Sequence, residues 1–231
     1  MMRRHSLIAC ATLLLTAEVA VAQPRADEWV NYRDAYRAMV QFDKYGGAKN
    51  LLQQQLQVRP RDKGMLGDGL QLSLKGRTVQ ASLALDATGR GVLPLSKAAY
   101  DENAVLAPSR SLGGFTVRPR VSLALRADGA YDAAGLRAAC EQALGFARHV
   151  DASARSLQCA GVRLVFAKKG VEAGVRVRAG GAEQALALAP GAAFAGDIDD
   201  DFPVATWRFG AQTDAQLVTY NAPLAIVPLF E

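Results

Sequence analysis

From Leu70 to Leu85 apolar and polar positions alternate. Leu70, Leu72 and Leu74 are separated by Gln71 and Ser73, and beyond a turn at Gly76-Arg77 the beat resumes through Val79, Ala81, Leu83 and Leu85. Successive strand side chains point to opposite faces, so the run predicts a hairpin with one apolar face. The turn Asp86-Ala87-Thr88-Gly89-Arg90 then leads to a third strand entering Leu93, which makes a core-forming meander. A second run sets Phe115, Val117, Pro119, Val121, Leu123 and Leu125 against Thr116, Arg118, Arg120, Ser122 and Arg126. It predicts a long strand, and because Pro119 has no N–H to give to a ladder, that strand belongs at a sheet edge or carries a bulge. Shorter alternating stretches predict strands within 161–170, 170–181, 182–191 and the tail from Phe202, and Pro60 draws residues 48–61 toward extended geometry.

Helical spacing is confined to two places. Trp29, Tyr32, Tyr36, Met39 and Val40 form one stripe within residues 26–45, which predicts an amphipathic helix stopped at Gly46-Gly47. Asp132 is placed to cap a second helix, with Leu136, Ala139, Cys140, Ala143, Leu144 and Ala147 inward, and Ser96 to cap a turn or two of a third. Strands grouped apart from helices define an α+β fold with antiparallel β-rich sheets, an N-terminal amphipathic helix and one further helix. The segment Pro108 to Gly114 is the most linker-like, which divides the chain, if it is divided, into lobes at 23–108 and 114–231. The tetrapeptide Val-Arg-Pro-Arg occurs at 58–61 and again at 117–120 and hints at two related halves.

Residues 1–22 change the picture of where the chain works. A basic start at Arg3-Arg4, an apolar middle and small residues at Ala20 and Ala22 have the form of a secretory signal peptide, with cleavage expected after Ala22 and a periplasmic or secreted location for residues 23–231. Cleavage takes away Arg3, Arg4 and Glu18 and lowers the net charge from +5 to +4, too mild and too dispersed for a nucleic-acid binder. No later apolar run approaches membrane-spanning length, so no membrane span is expected after cleavage. An outer-membrane barrel is disfavoured by an aromatic content of 7% and by the two helical stripes. Cys10 leaves with the signal, and the remaining pair, Cys140 and Cys159, is expected to form a disulfide in an oxidising compartment.

Candidate chemistry is sparse. His149 is the one histidine after cleavage, with Asp151 and Ser153 near it in sequence, but no nucleophile elbow accompanies them and a helix C-terminus suits a histidine in any case. Asp197, Asp199 and Asp201 have the one-three-five spacing of a calcium loop, yet Phe202 stands where that loop needs glycine and Arg208 where it needs glutamate. The same aspartates are candidates for a carboxylate pair in hydrolysis. Alternation places Arg118, Arg120, Arg163, Arg176 and Arg178 opposite the apolar side chains of their strands, where a planar guanidinium suits carboxylate or phosphate. The run from Ala84 to Leu106, ALDATGRGVLPLSKAAYDENAVL, resembles a segment of secreted bacterial proteins of unknown function, which implies an exported β-rich protein and transfers no catalytic residue. The expectation is an exported envelope binding or accessory protein without catalytic activity or cofactor, its partner an anionic envelope component; the alternative is an aspartate-dependent hydrolase of an envelope polymer.

Overall fold

The computed structural model describes residues 28–170, 172–210 and 213–231; the expected signal at 1–22 lies outside them. The chain runs β1 (Val30–Asn31), α1 (Tyr32–Lys44), β2 (Leu52–Pro60), β3 (Gln71–Lys75), β4 (Gln80–Ala84), β5 (Arg90–Gly91), α2 (Lys97–Asp101), β6 (Val105–Pro108) and β7 (Phe115–Leu123). It continues through β8 (Ala130–Asp132), α3 (Ala133–Val150), β9 (Cys159–Val165), β10 (Val175–Ala179), β11 (Ala182–Ala185), β12 (Leu188–Gly191), β13 (Phe202–Arg208), β14 (Gln216–Thr219) and β15 (Ala225–Phe230). Pairing between these strands is antiparallel throughout, and the fold is α+β.

Ser96 and Asp132 cap helices as the sequence predicts, and Asn31 supplies the cap of the first helix. Asn31, Ser96 and Asp132 each accept a backbone N–H from the first turn of α1, α2 and α3, relieving donors that a helix start leaves without partners. The first helix is shorter than its stripe: it begins at Tyr32, and Tyr45 is already extended before Gly46 is reached. Tyr32 and Met39 are buried as expected, whereas Trp29 precedes the helix and is exposed. Cys140 and Cys159 are at disulfide distance with Cα atoms 6.0 Å apart, tying the middle of α3 to the start of β9. Substituting both by serine is expected to lower stability by about 3 kcal/mol, the loop-entropy value for a bridge of this span. Equal denaturation midpoints for the parent with and without reductant would contradict it.

The organising sheet is not the leucine hairpin. Strands β3 and β4 do pair, with Leu72, Leu74 and Leu83 buried, but β5 leaves them and pairs with β2 through Leu56 opposite Gly91. The turn before it causes the departure: Asp86 Oδ1 accepts from the Thr88 N–H, the Thr88 hydroxyl and the Arg90 N–H, which bends the chain away from β4. The centre is instead a seven-stranded sheet in the order β12-β13-β9-β15-β7-β2-β5.

Its middle is a junction between two copies of one arrangement. The outer sheet β1-β6-β3-β4 is matched by β8-β14-β10-β11, strand for strand. In each copy a helix follows the first of these strands, β5-β2-β7 corresponds to β13-β9-β15, and the two triplets meet where β7 and β15 adjoin. The detail agrees. Tyr32 N–H bonds the Ala104 carbonyl at 3.0 Å as Ala133 N–H bonds that of Ala215 at 2.8 Å, and Leu74 faces Leu106 as Val177 faces Leu217. Equivalent strands paired antiparallel relate the halves by a local two-fold.

Two readings of the sequence bear on this arrangement. The halves divide between Leu123 and Ala130, and 108–114 is an internal connection from β6 to β7. Both Val-Arg-Pro-Arg segments lie in the first half, on adjacent strands with Val58 opposite Val117, so they are not the repeat that relates the halves. The apolar cores cut across this division: one gathers residues up to Phe115 and Val117, while Leu52, Val121 and Leu123 of the first half pack into the other.

Candidate functional site

One face of the seven-stranded sheet lies under the helices and outer sheets; the other carries arginines. That second face is not open to water as alternation alone suggested. The segment 192–201 folds over it, and beneath it Arg90 is 1% exposed, Ser122 1% and Gln57 2%. Arg90 is the largest fully buried side chain among the described residues. Its Nε and Nη2 reach Asp86 Oδ2 at 3.2 and 2.8 Å, its Nε reaches Thr88 Oγ1 at 2.9 Å and its Nη2 the Leu224 carbonyl at 2.5 Å. A guanidinium has five donors and no acceptor, so burial is tolerable only with such a set around it.

Asp197 closes the same cluster from above. Its Oδ1 takes Arg120 Nη2 at 2.5 Å and lies 3.5 Å from Arg59 Nε, while its Oδ2 takes Gln57 Nε2 at 2.9 Å and the Phe194 N–H at 3.1 Å. Gln57 Oε1 accepts from Arg120 Nε at 2.6 Å. The Phe194 ring sits between two guanidinium groups, 5.1 Å from that of Arg90 and 4.8 Å from that of Arg120, a stacking that favours planar cations. Burial pulls the Arg120 guanidinium below its ordinary pKa, and the Asp197 carboxylate opposes that shift. Burial lowers Arg163 likewise, and its Nη2 donates to the Ala192 carbonyl at 2.6 Å.

The acidic loop and the arginine face are therefore partners of one another. Asp199 accepts the Gly64 N–H at 2.8 Å, Asp200 pairs with Lys63 and Asp201 with Lys168, so the one-three-five aspartates diverge. Among the described residues no group of three His, Cys, Asp or Glu side chains is arranged to hold a metal ion. Nor do the predicted arginines form one field. Arg118 and Arg120 lie on β7, Arg163 lies on β9 beyond β15, and Arg176 and Arg178 lie in a different sheet. The last two share the Glu183 carboxylate at 2.8 and 2.7 Å, and Arg176 also bonds the Tyr220 hydroxyl at 2.7 Å. These exposed contacts are screened by water and salt, so the double change Arg176→Ser with Arg178→Ser is expected to leave the melting temperature unchanged within error. A drop of several degrees in a thermal melt would show that the hairpin depends on them. Sequence reasoning missed Arg90, Asp86 and Gln57; the available signal was a charged residue set in the apolar run Gly89-Arg90-Gly91-Val92-Leu93.

The junction of the halves has a gap. Strands β7 and β15 pair at Leu123 and Ile226, and their ladder extends no further. Proline explains why. The Ala124 N–H and the Gly114 carbonyl bond toward β2, so even-numbered β7 residues turn that way and Pro119 turns its nitrogen to the junction. On the other side the Ala160 carbonyl and the Phe166 N–H bond toward β13, which leaves Arg163 paired with Val227 and turns Pro228 to the junction. Each strand thus presents a residue without a donor where the ladder should continue, which costs neither of them a bond to its other neighbour. The expected edge character of Pro119 is half realised: β7 is interior in strand order and laddered along one side.

Between the parted strands lies a groove of about 350 Å³. Helix α1 contributes Ala38, helix α3 contributes Ala147 and Phe146, and Val121, Phe230 and Phe194 complete an apolar wall. Arg120 reaches its rim with the guanidinium already committed to Asp197. No family model, no curated protein and no solved structure matches this chain. The class that fold and site define is a two-fold-repeated α+β protein with a locked arginine face and an apolar groove at the junction of its halves.

Proposed function

We propose that the protein is an exported, non-catalytic binding or accessory module of the cell envelope and that its ligand occupies the groove between β7 and β15. The groove carries this reading: it is apolar, it draws on both halves of the repeat, and two prolines hold it open. Export is supported by the residue pattern at 1–22 and by the bonding distance of Cys140 and Cys159. Among the described residues no helix is long and apolar enough to cross a membrane. The anionic ligand expected from the arginines loses its main support, because the Arg120 guanidinium is committed to Asp197 and those of Arg176 and Arg178 share Glu183. The hydrolase alternative needs a carboxyl group with a raised pKa. Every carboxylate with a resolved shift moves the other way, as where the Arg126 guanidinium takes Asp128 down to about 2.

An apolar fluorescent probe, anilinonaphthalene sulfonate, tests the groove. The folded protein is expected to bind it, and Ala147→Arg, which projects a long charged side chain from α3 into the groove, is expected to abolish binding without moving the thermal midpoint. Unchanged probe binding by that variant would place the ligand elsewhere.

A further inference from the structure

We infer that the occupant of the groove is an extended polypeptide segment with apolar side chains at alternate positions, which enters as a strand along β7; this rests on the reading of the groove given above. The groove continues the β7–β15 interface from the Leu123–Ile226 pair, so an occupant takes up a ladder that the protein itself breaks off. Odd-numbered residues of β7 face the junction; within the groove these are Pro119, which has no N–H, and Val121, whose amide lies outside that ladder. A strand edge left open inside an apolar wall offers two things together: main-chain groups, here the carbonyls of Pro119 and Val121 and the Val121 N–H, and contact surface for alternate side chains. An acyl chain would use only the second. Pro119 and Pro228 keep the protein's own strands from closing the gap, which prevents self-pairing as edge prolines do elsewhere. A second copy is a poorer occupant, because its own β7 and β15 edges carry the same prolines. The wall residues Ala38, Val121, Ala147 and Phe230 select small or apolar side chains on the inserted segment.

The test uses the full mature protein and a pool of capped heptapeptides in which threonine alternates with valine, alanine, leucine or phenylalanine. Two twin pools are N-methylated at every second amide, one in each phase, which removes main-chain donors and leaves the side chains unchanged. Displacement of the fluorescent probe gives apparent affinities, and amide hydrogen exchange at Val121 reports strand pairing. The expected result is binding of the plain pool, about tenfold weaker binding by one methylated twin, from two lost hydrogen bonds, and protection of the Val121 amide. Equal binding of all three pools, or displacement by lauric acid with none by any peptide, overturns the strand inference and leaves the groove as a binding site. Failure of the probe itself to bind overturns both.

Discussion

Replacing Arg90 by alanine is expected to lower the unfolding free energy by about 3–5 kcal/mol, the range for breaking a buried charged pair by removal of one member. The loss has three parts. Asp86 Oδ2 is left without the Nε and Nη2 donors at 3.2 and 2.8 Å, the Leu224 carbonyl loses its donor, and the Phe194 ring loses one of its two stacked guanidinium groups. Leu224 immediately precedes β15, so Arg90 also ties β5, in the first half, to the last strand of the second. Lysine is expected to recover only a fraction, since one ammonium cannot span Asp86, Thr88 and Leu224 as a planar fork does. Urea denaturation of the parent, Arg90→Ala and Arg90→Lys measures this. A loss below about 1 kcal/mol for alanine, the scale of an exposed ion pair, would contradict the burial of the Arg90 guanidinium.

The legibility of the chain depended on whether a feature was local. Helix starts at Ser96 and Asp132 were readable because a cap acts within three residues of itself, whereas the start at Asn31 was missed because the apolar stripe ran back to Trp29. The hairpin β3–β4 was readable because alternation and a short turn define it completely. The cysteine pair followed from count and expected compartment. What could not be read is what covers a strand face: period two separates Arg120 from Val121 but does not say which side is dry, and segment 192–201, some seventy residues away in sequence, decides it. The repeat was hidden for a related reason. Its halves share a register of contacts, as in Ala104-Val105-Leu106 and Ala215-Gln216-Leu217, while most of the side chains differ. The more conspicuous Val-Arg-Pro-Arg identity joined neighbouring strands of one half. Likewise the calcium-like spacing at Asp197, Asp199 and Asp201 came from an irregular loop in which successive carboxylates point to different donors.

Asp197→Ala is the sharpest probe of that loop, and about 3 kcal/mol of stability is expected to go with it. The carboxylate is 8% exposed and collects Arg59, Arg120, Gln57 and the Phe194 N–H, so its removal leaves two guanidinium groups close together without an anion between them. Like charges at such distance disfavour each other's ionised forms, and Arg59 and Arg90 already act on Arg120 in that direction. The segment should lift, because Phe194 is held by Arg120 on one side and by Asp197 through its own backbone. Hydrogen exchange is therefore expected to accelerate at residues 193–199 by more than at β2 or β9, an effect that a uniform loss of stability would not produce. Asp197→Asn keeps one acceptor oxygen and should lose less. Asp200→Asn, at an exposed pair with Lys63, should lose nothing measurable. Millimolar calcium should move the melting temperature of neither the parent nor any of these variants, since the aspartates that have calcium spacing face different partners. A large calcium-dependent rise in the parent, removed by Asp199→Ala, would instead assign the loop to a cation, and equal exchange rates across the whole molecule in Asp197→Ala would remove its role as the clasp of the arginine face.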